Sequence, residues 1–214
     1  MLLIFFLSCF TLVSIFGYSL IVKYYYQEYK SFIVIRNIDF FYGFVFIIFL
    51  SIFLNFFFPL KYFTLPIIFI GIAVYLFGLK NKNYDINFIF YFIIIFFITF
   101  ISYYGKNNVD SPMYHLQIVK WLSLYKINFG IGNLEVRLGN NSSWHSFVGL
   151  MSFAYEKFSM KHYLSSILLS FTLYEALRFK KEYKLSDLFI YIVVCYLFFY
   201  SYLHPFKYGV ILNH

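Results

Sequence analysis

The residues able to do chemistry gather in one stretch of the 214-residue chain, between Asp110 and His145. Asp110 and Glu135 are the acids at its centre, accompanied by His115, Arg137 and His145. A carboxylate such as Asp110 can take a proton from an acceptor hydroxyl or hold a divalent cation against a phosphate. Ser111 and Pro112 follow it directly, so Asp110 is equally well placed to cap a helix beginning at Pro112 and to favour the positive end of its dipole. The planar guanidinium of Arg137 matches a phosphate or carboxylate, and the nearby glycines leave room for a ligand; an ion pair with Glu135 or contact with lipid headgroups is the plainer alternative. Histidines in a wet loop, as His115 and His145 would be, more often make surface hydrogen bonds than act as bases or ligands. No Cys/His spacing fits a zinc site and no serine carries a nucleophile elbow. Gly130 and Gly132 lack the preceding strand and further glycine of a phosphate-binding loop. They are predicted to serve a turn that needs positive φ.

The elements that must position these residues are membrane helices. With 62% hydrophobic and 12% charged residues, the chain has too little polar side chain to cover a globule in water. Its 33 Phe and 23 Tyr stand beside abundant Ile, Asn and Lys, a pattern that AT-rich codons alone produce. The net charge of +8 is scattered in short groups between apolar runs, which reads as topogenic charge and gives no reason to expect a nucleic-acid partner. Cys9 and Cys195 lie in apolar segments, where a thiol behaves as a small hydrophobe. The expected fold is all-α: a polytopic membrane helix bundle of about six spans, roughly 2–22, 39–59, 63–79, 86–104, 163–179 and 186–203. Pro59 and Pro66 bracket a tight hairpin between the second and third spans, with Lys61 as its one charge. Inside the spans, Asn55 and Glu175 need a reason; one turn separates Glu175 from Arg178, so an ion pair or snorkelling accounts for it.

An outer N-terminus places nine of the 17 basic residues in short inner loops: Lys23, Lys30, Arg36, Lys80, Lys82, Arg178, Lys180, Lys181 and Lys184. Residues 105–161 then form one outer loop. It is predicted to carry two interfacial helices. The first runs from Pro112 to about Tyr125, with Tyr114, Ile118, Trp121, Leu122 and Tyr125 on an apolar face and Gln117, Lys120 and Ser123 opposite. The second, within 144–155, is too short to span and is interrupted by His145, Ser146, Gly149 and Ser152, which suits an interfacial or re-entrant helix. The chain ends a few residues after the last predicted span, as a truncated N-terminal part of a longer protein would.

This order of elements resembles the N-terminal part of the C-type superfamily of integral membrane glycosyltransferases. Over about residues 100–185 it resembles more closely an uncharacterised bacterial family of polytopic membrane proteins, through Tyr114-His115-Leu116, Gly132-Asn133-Leu134, Arg137-Leu138-Gly139 and Asn141-Ser142-Ser143-Trp144. The resemblance implies a bacterial inner-membrane protein of envelope polysaccharide or glycolipid assembly, with a polyprenyl-phosphate-linked sugar as donor. Asp110 takes the position of the superfamily's catalytic acid, and Tyr114, His115, Arg137, Asn141, Trp144 and His145 become the substrate-binding candidates. Many relatives carry two adjacent acids where this chain has Asp110 followed by Ser111, which leaves open whether a divalent cation takes part. The competing expectation is a non-catalytic membrane protein: a polysaccharide polymerase or flippase component, or an inactive fragment.

Overall fold

A computed structural model describes residues 2–26, 34–35, 39–79, 83–84, 88–104, 116–127, 130, 133, 143–151 and 163–177. These residues are helical almost throughout. Seven α-helices follow one another: α1 (Leu2–Tyr26), α2 (Asp39–Phe57), α3 (Thr64–Leu79), α4 (Phe88–Tyr104), α5 (Leu116–Leu124), α6 (Ser143–Met151) and α7 (Tyr163–Leu177). One 3₁₀ turn, Leu60–Tyr62, joins α2 to α3. Two segments of two residues, β1 (Val34–Ile35) and β2 (Asn83–Tyr84), pair in parallel with Val34 opposite Asn83. Two of the helices are long and apolar enough to cross a membrane, over Leu2–Tyr25 and Asp39–Phe57. Shorter apolar helices cover Thr64–Gly78 and Tyr91–Phe100. The sixth expected span, 186–203, lies outside the described residues.

The helices fall into two compact units. One contains the start of α1 together with α4 and α7. Here α4 and α7 pack on each other, with Tyr91 and Tyr174 rings 4.7 Å apart and Tyr91, Ile95, Leu164 and Ile167 buried. The other unit contains the rest of α1, then α2, the 3₁₀ turn, α3, α5 and α6.

In this second unit α1 is held between α2 and α3 through backbone contact at glycines. A β-carbon on Gly17 would land on the carbonyl oxygen of Gly71, and one on Gly43 would land on that of Ile15. Helices approach this closely only where small residues face each other. Ser14 and Tyr18 of α1 both donate hydrogen bonds to the Ile67 carbonyl of α3, at 3.4 and 3.0 Å. At the end of α1, Lys23 pairs with fully buried Asp39 of α2 at 2.5 Å. That acid occupies the first turn of α2 and that lysine the last turn of α1, each where the helix dipole favours it.

Polar and small side chains share the buried faces with large apolar ones, while many further large apolar side chains point outward. The buried face of α2 is Asp39, Phe40, Gly43, Ile47, Ser51 and Asn55, while Phe41, Val45, Phe49, Phe53 and Phe57 are exposed. On α3, Thr64, Ile67, Ile68 and Tyr75 are buried while Phe69 and Phe77 are exposed. Contiguous exposed apolar surface of this kind calls for a covering medium. Because β1 precedes α2 and β2 follows α3, their pairing brings both connections to one end of this unit. The α2–α3 hairpin forms the other end.

Candidate functional site

The hairpin end is built around Pro59. Proline has no N–H, so the carbonyl of Asn55, four residues earlier, loses its intrahelical donor. The N–H of Ile127 donates to that carbonyl instead, at 2.9 Å. The Asn55 side chain, 1% exposed, completes the junction. Its Nδ2 donates to the carbonyls of Leu122 and Tyr125 at 2.9 and 3.1 Å, with Phe58 O more distant at 3.4 Å. Leu122 and Tyr125 stand at the C-terminal end of α5, where carbonyls have no partner within the helix. One asparagine thus caps α5 and ties it to the end of α2. Its Oδ1 meets no donor among the described residues.

Thr64 performs the same service for α6. It is the first residue of α3, and its Oγ1 donates to the carbonyl of Leu150 in the last turn of α6. Pro66 lies in that first turn of α3, where its missing N–H costs nothing. Gly149 faces α5 at its closest approach: a β-carbon there would stand 3.3 Å from Leu122 Cβ and 3.5 Å from Val119 O. Near the other end of α6, Phe147 meets the Phe44 ring edge-on at 5.0 Å, and Trp144 lies 6.4 Å from the same ring. Phe44 and Asn55 are 11 residues apart on α2, about 16 Å by helical rise. So α6 packs on α2 near Phe44 and on the 3₁₀ turn, while α5 meets α2 about 16 Å further along at Asn55.

These contacts correct two details expected of the loop helices. Ser123, expected on the polar face of α5, is 1% exposed, whereas Tyr125, expected on the apolar face, is 59% exposed. The buried face is Ile118, Val119, Leu122 and Ser123, because it is α6 and the hairpin, not a flat surface, that α5 packs against. In α6 the residues that seemed to interrupt an apolar stretch are its packing face: His145, Ser146 and Gly149 are all buried.

Of the candidate site residues, Trp144 and His145 are brought into this junction. Trp144 is half-buried against Phe44 and Phe147, and His145 is 8% exposed, so it is not the wet surface histidine expected. Asp110, Tyr114, His115, Arg137 and Asn141 lie outside the described residues, as does the expected helix start at Pro112. Any divalent cation implied for Asp110 would sit there too. Among the described residues no three His, Cys, Asp or Glu side chains cluster as a metal site. Gly130 has φ +86°, and the Asn133 N–H donates to its carbonyl at 2.9 Å, the turn expected of it. Thr64 and Asp39 carry structure that sequence reasoning missed. The available signals were a threonine at a helix start two residues before a proline, and an acid placed at a span boundary opposite Lys23.

The chain matches a domain of unknown function, DUF8201, over residues 1–206, and belongs to that family. No curated protein and no solved structure matches it.

Proposed function

We propose that this DUF8201 chain is a multi-pass protein of the bacterial inner membrane that transfers sugar from a polyprenyl-phosphate carrier during envelope polysaccharide or glycolipid assembly. The membrane part of this reading is supported by the outward phenylalanines of α2 and α3, by the inward Gly43, Ser51 and Asn55 of α2 and by the inward Thr64 and Gly71 of α3. The pairing of β1 with β2 supports a return crossing by α3 if α2 crosses. α3 and α4 measure about 24 and 26 Å by helical rise, short of a full hydrocarbon core and within reach of a locally thinned one. In the sequence Lys30, Arg36, Lys80 and Lys82 adjoin β1 and β2, which supports a cytoplasmic side for the paired end and an outer side for the hairpin end.

The observation that carries the catalytic part is the locking of α5 and α6 onto the α2–α3 hairpin through Asn55 and Thr64. A connector needs no such fixing, whereas a reaction on a lipid-borne substrate needs a rigid platform at one membrane face. In this reading Asp110, a few residues before α5, takes the proton of the acceptor hydroxyl, and Arg137 holds the carrier phosphate. The test is reconstituted protein supplied with polyprenyl-phosphate sugar. Transfer is expected, falling about 100-fold or more in Asp110→Asn, the usual scale for loss of a general base. Full activity in that variant would remove Asp110 from the mechanism, and no transfer from any carrier would favour a non-catalytic assembly component.

A further inference from the structure

The hairpin end carries a second chemistry that sugar transfer does not use. In the 3₁₀ turn, exposed Lys61 lies with its Nζ 5.0 Å from the centre of the Tyr62 ring, and Tyr62 is itself 65% exposed. α5 packs against this turn and leads into exposed Tyr125 and Lys126. Lys126 is fixed on both sides: the Tyr125 carbonyl accepts from Asn55 Nδ2, and the Ile127 N–H donates to the Asn55 carbonyl. Both lysines therefore belong to segments pinned at the end of α2. Phe57 and Phe58, exposed just before the turn in the chain, supply apolar surface at the same end.

Residues 58–64 and 116–127 contain no Asp or Glu, so this end of the protein is purely cationic in its described parts. Lysines in short outer segments work against topogenic preference, which makes their presence on the outer side informative. Tyrosines favour headgroup depth, with the ring in the apolar zone and the hydroxyl wet. A lysine stem lies along apolar surface and lifts its ammonium to the same depth. We infer that Lys61 and Lys126, flanked by Tyr62 and Tyr125, form a docking surface for the phosphodiester headgroup of an anionic phospholipid in the leaflet that meets the α2–α3 hairpin. The inference rests on the membrane reading and is independent of sugar transfer.

The chain supplies its own reporter. Trp121 stands one turn before Tyr125, and the other tryptophan, Trp144, can be replaced as Trp144→Phe to keep its ring packing. In vesicles containing brominated lipid, Trp121 fluorescence is expected to be quenched more by brominated phosphatidylglycerol than by brominated phosphatidylcholine. The ratio of the two lipid binding constants is expected at about 30-fold, two lysines near an anionic surface contributing about five-fold each. In Lys61→Gln/Lys126→Gln the ratio is expected to fall close to unity while quenching by phosphatidylcholine stays unchanged. Equal quenching in the parent, or an undiminished preference in the double variant, would overturn the docking surface alone. Absence of quenching by either lipid would overturn the membrane reading with it.

Discussion

Asn55 illustrates how a polar side chain earns a place inside an apolar helix: Pro59 frees its carbonyl, the end of α5 arrives with its own carbonyls open, and one amide serves both. In Asn55→Leu the buried carbonyl of Leu122 is left without a donor, a cost of about 1–3 kcal/mol, and the part-buried carbonyl of Tyr125 loses its tie to α2. Unfolding of the purified protein in detergent should show that loss, with faster amide exchange from Tyr125 to Ile127. At the opposite end of α2, Lys23→Met leaves the Asp39 carboxylate buried without its cation. The expected destabilisation is about 3–5 kcal/mol, largely relieved in Lys23→Met/Asp39→Leu, because removing one partner of a buried pair costs more than removing both. Asn55 stood out in the sequence as a residue needing a reason. The reason itself was not legible, since it joins groups 67 and 70 residues apart. Asp39 did not stand out, because an acid at the edge of an apolar run looks like the boundary of a span.

Among the elements, apolar runs and the two prolines made α1 to α4 and the hairpin readable, because an uninterrupted apolar run of that length favours a helix and proline leaves few places for a helix to start or stop. The short helices were legible in position and not in facing. Periodicity on α5 identified an apolar stripe, but Ser123 is drawn inside and Tyr125 left outside by the approach of α6 at Gly149, a contact that spacing along α5 cannot encode. The glycines of the larger helices make the firmest expectation at this scale. Gly71→Leu must push α3 off Ser14 and Gly17 of α1, and overpacking of this kind costs about 1–3 kcal/mol or more. The variant should lose most of its folded yield after extraction, whereas Phe69→Leu on the exposed face of α3 should be neutral.

For the whole molecule, the all-helical class agrees with the expected fold and the outward phenylalanines of α2 and α3 fit the apolar composition, while the candidate site residues of the loop, Asp110 and Arg137 above all, lie outside the described residues. Topology is open to a direct check. With Cys9 and Cys195 replaced by alanine, single cysteines at Lys61 and Asn107 are expected to react with an impermeant maleimide from outside intact cells, and cysteines at Lys82 and Lys181 only after permeabilisation. Labelling of Asn107 and Lys181 from the same side would sink the six-span arrangement. The two caps at the hairpin end also carry a temporal meaning. Asn55 and Thr64 precede their partners Leu122 and Leu150 by 67 and 86 residues. At about 5–20 residues per second, the ribosome needs roughly 3–13 s to advance from Asn55 to Leu122. The amide of Asn55 and the hydroxyl of Thr64 are therefore synthesised well before the carbonyls they cap, and the order of birth along the chain doubles as an order of assembly.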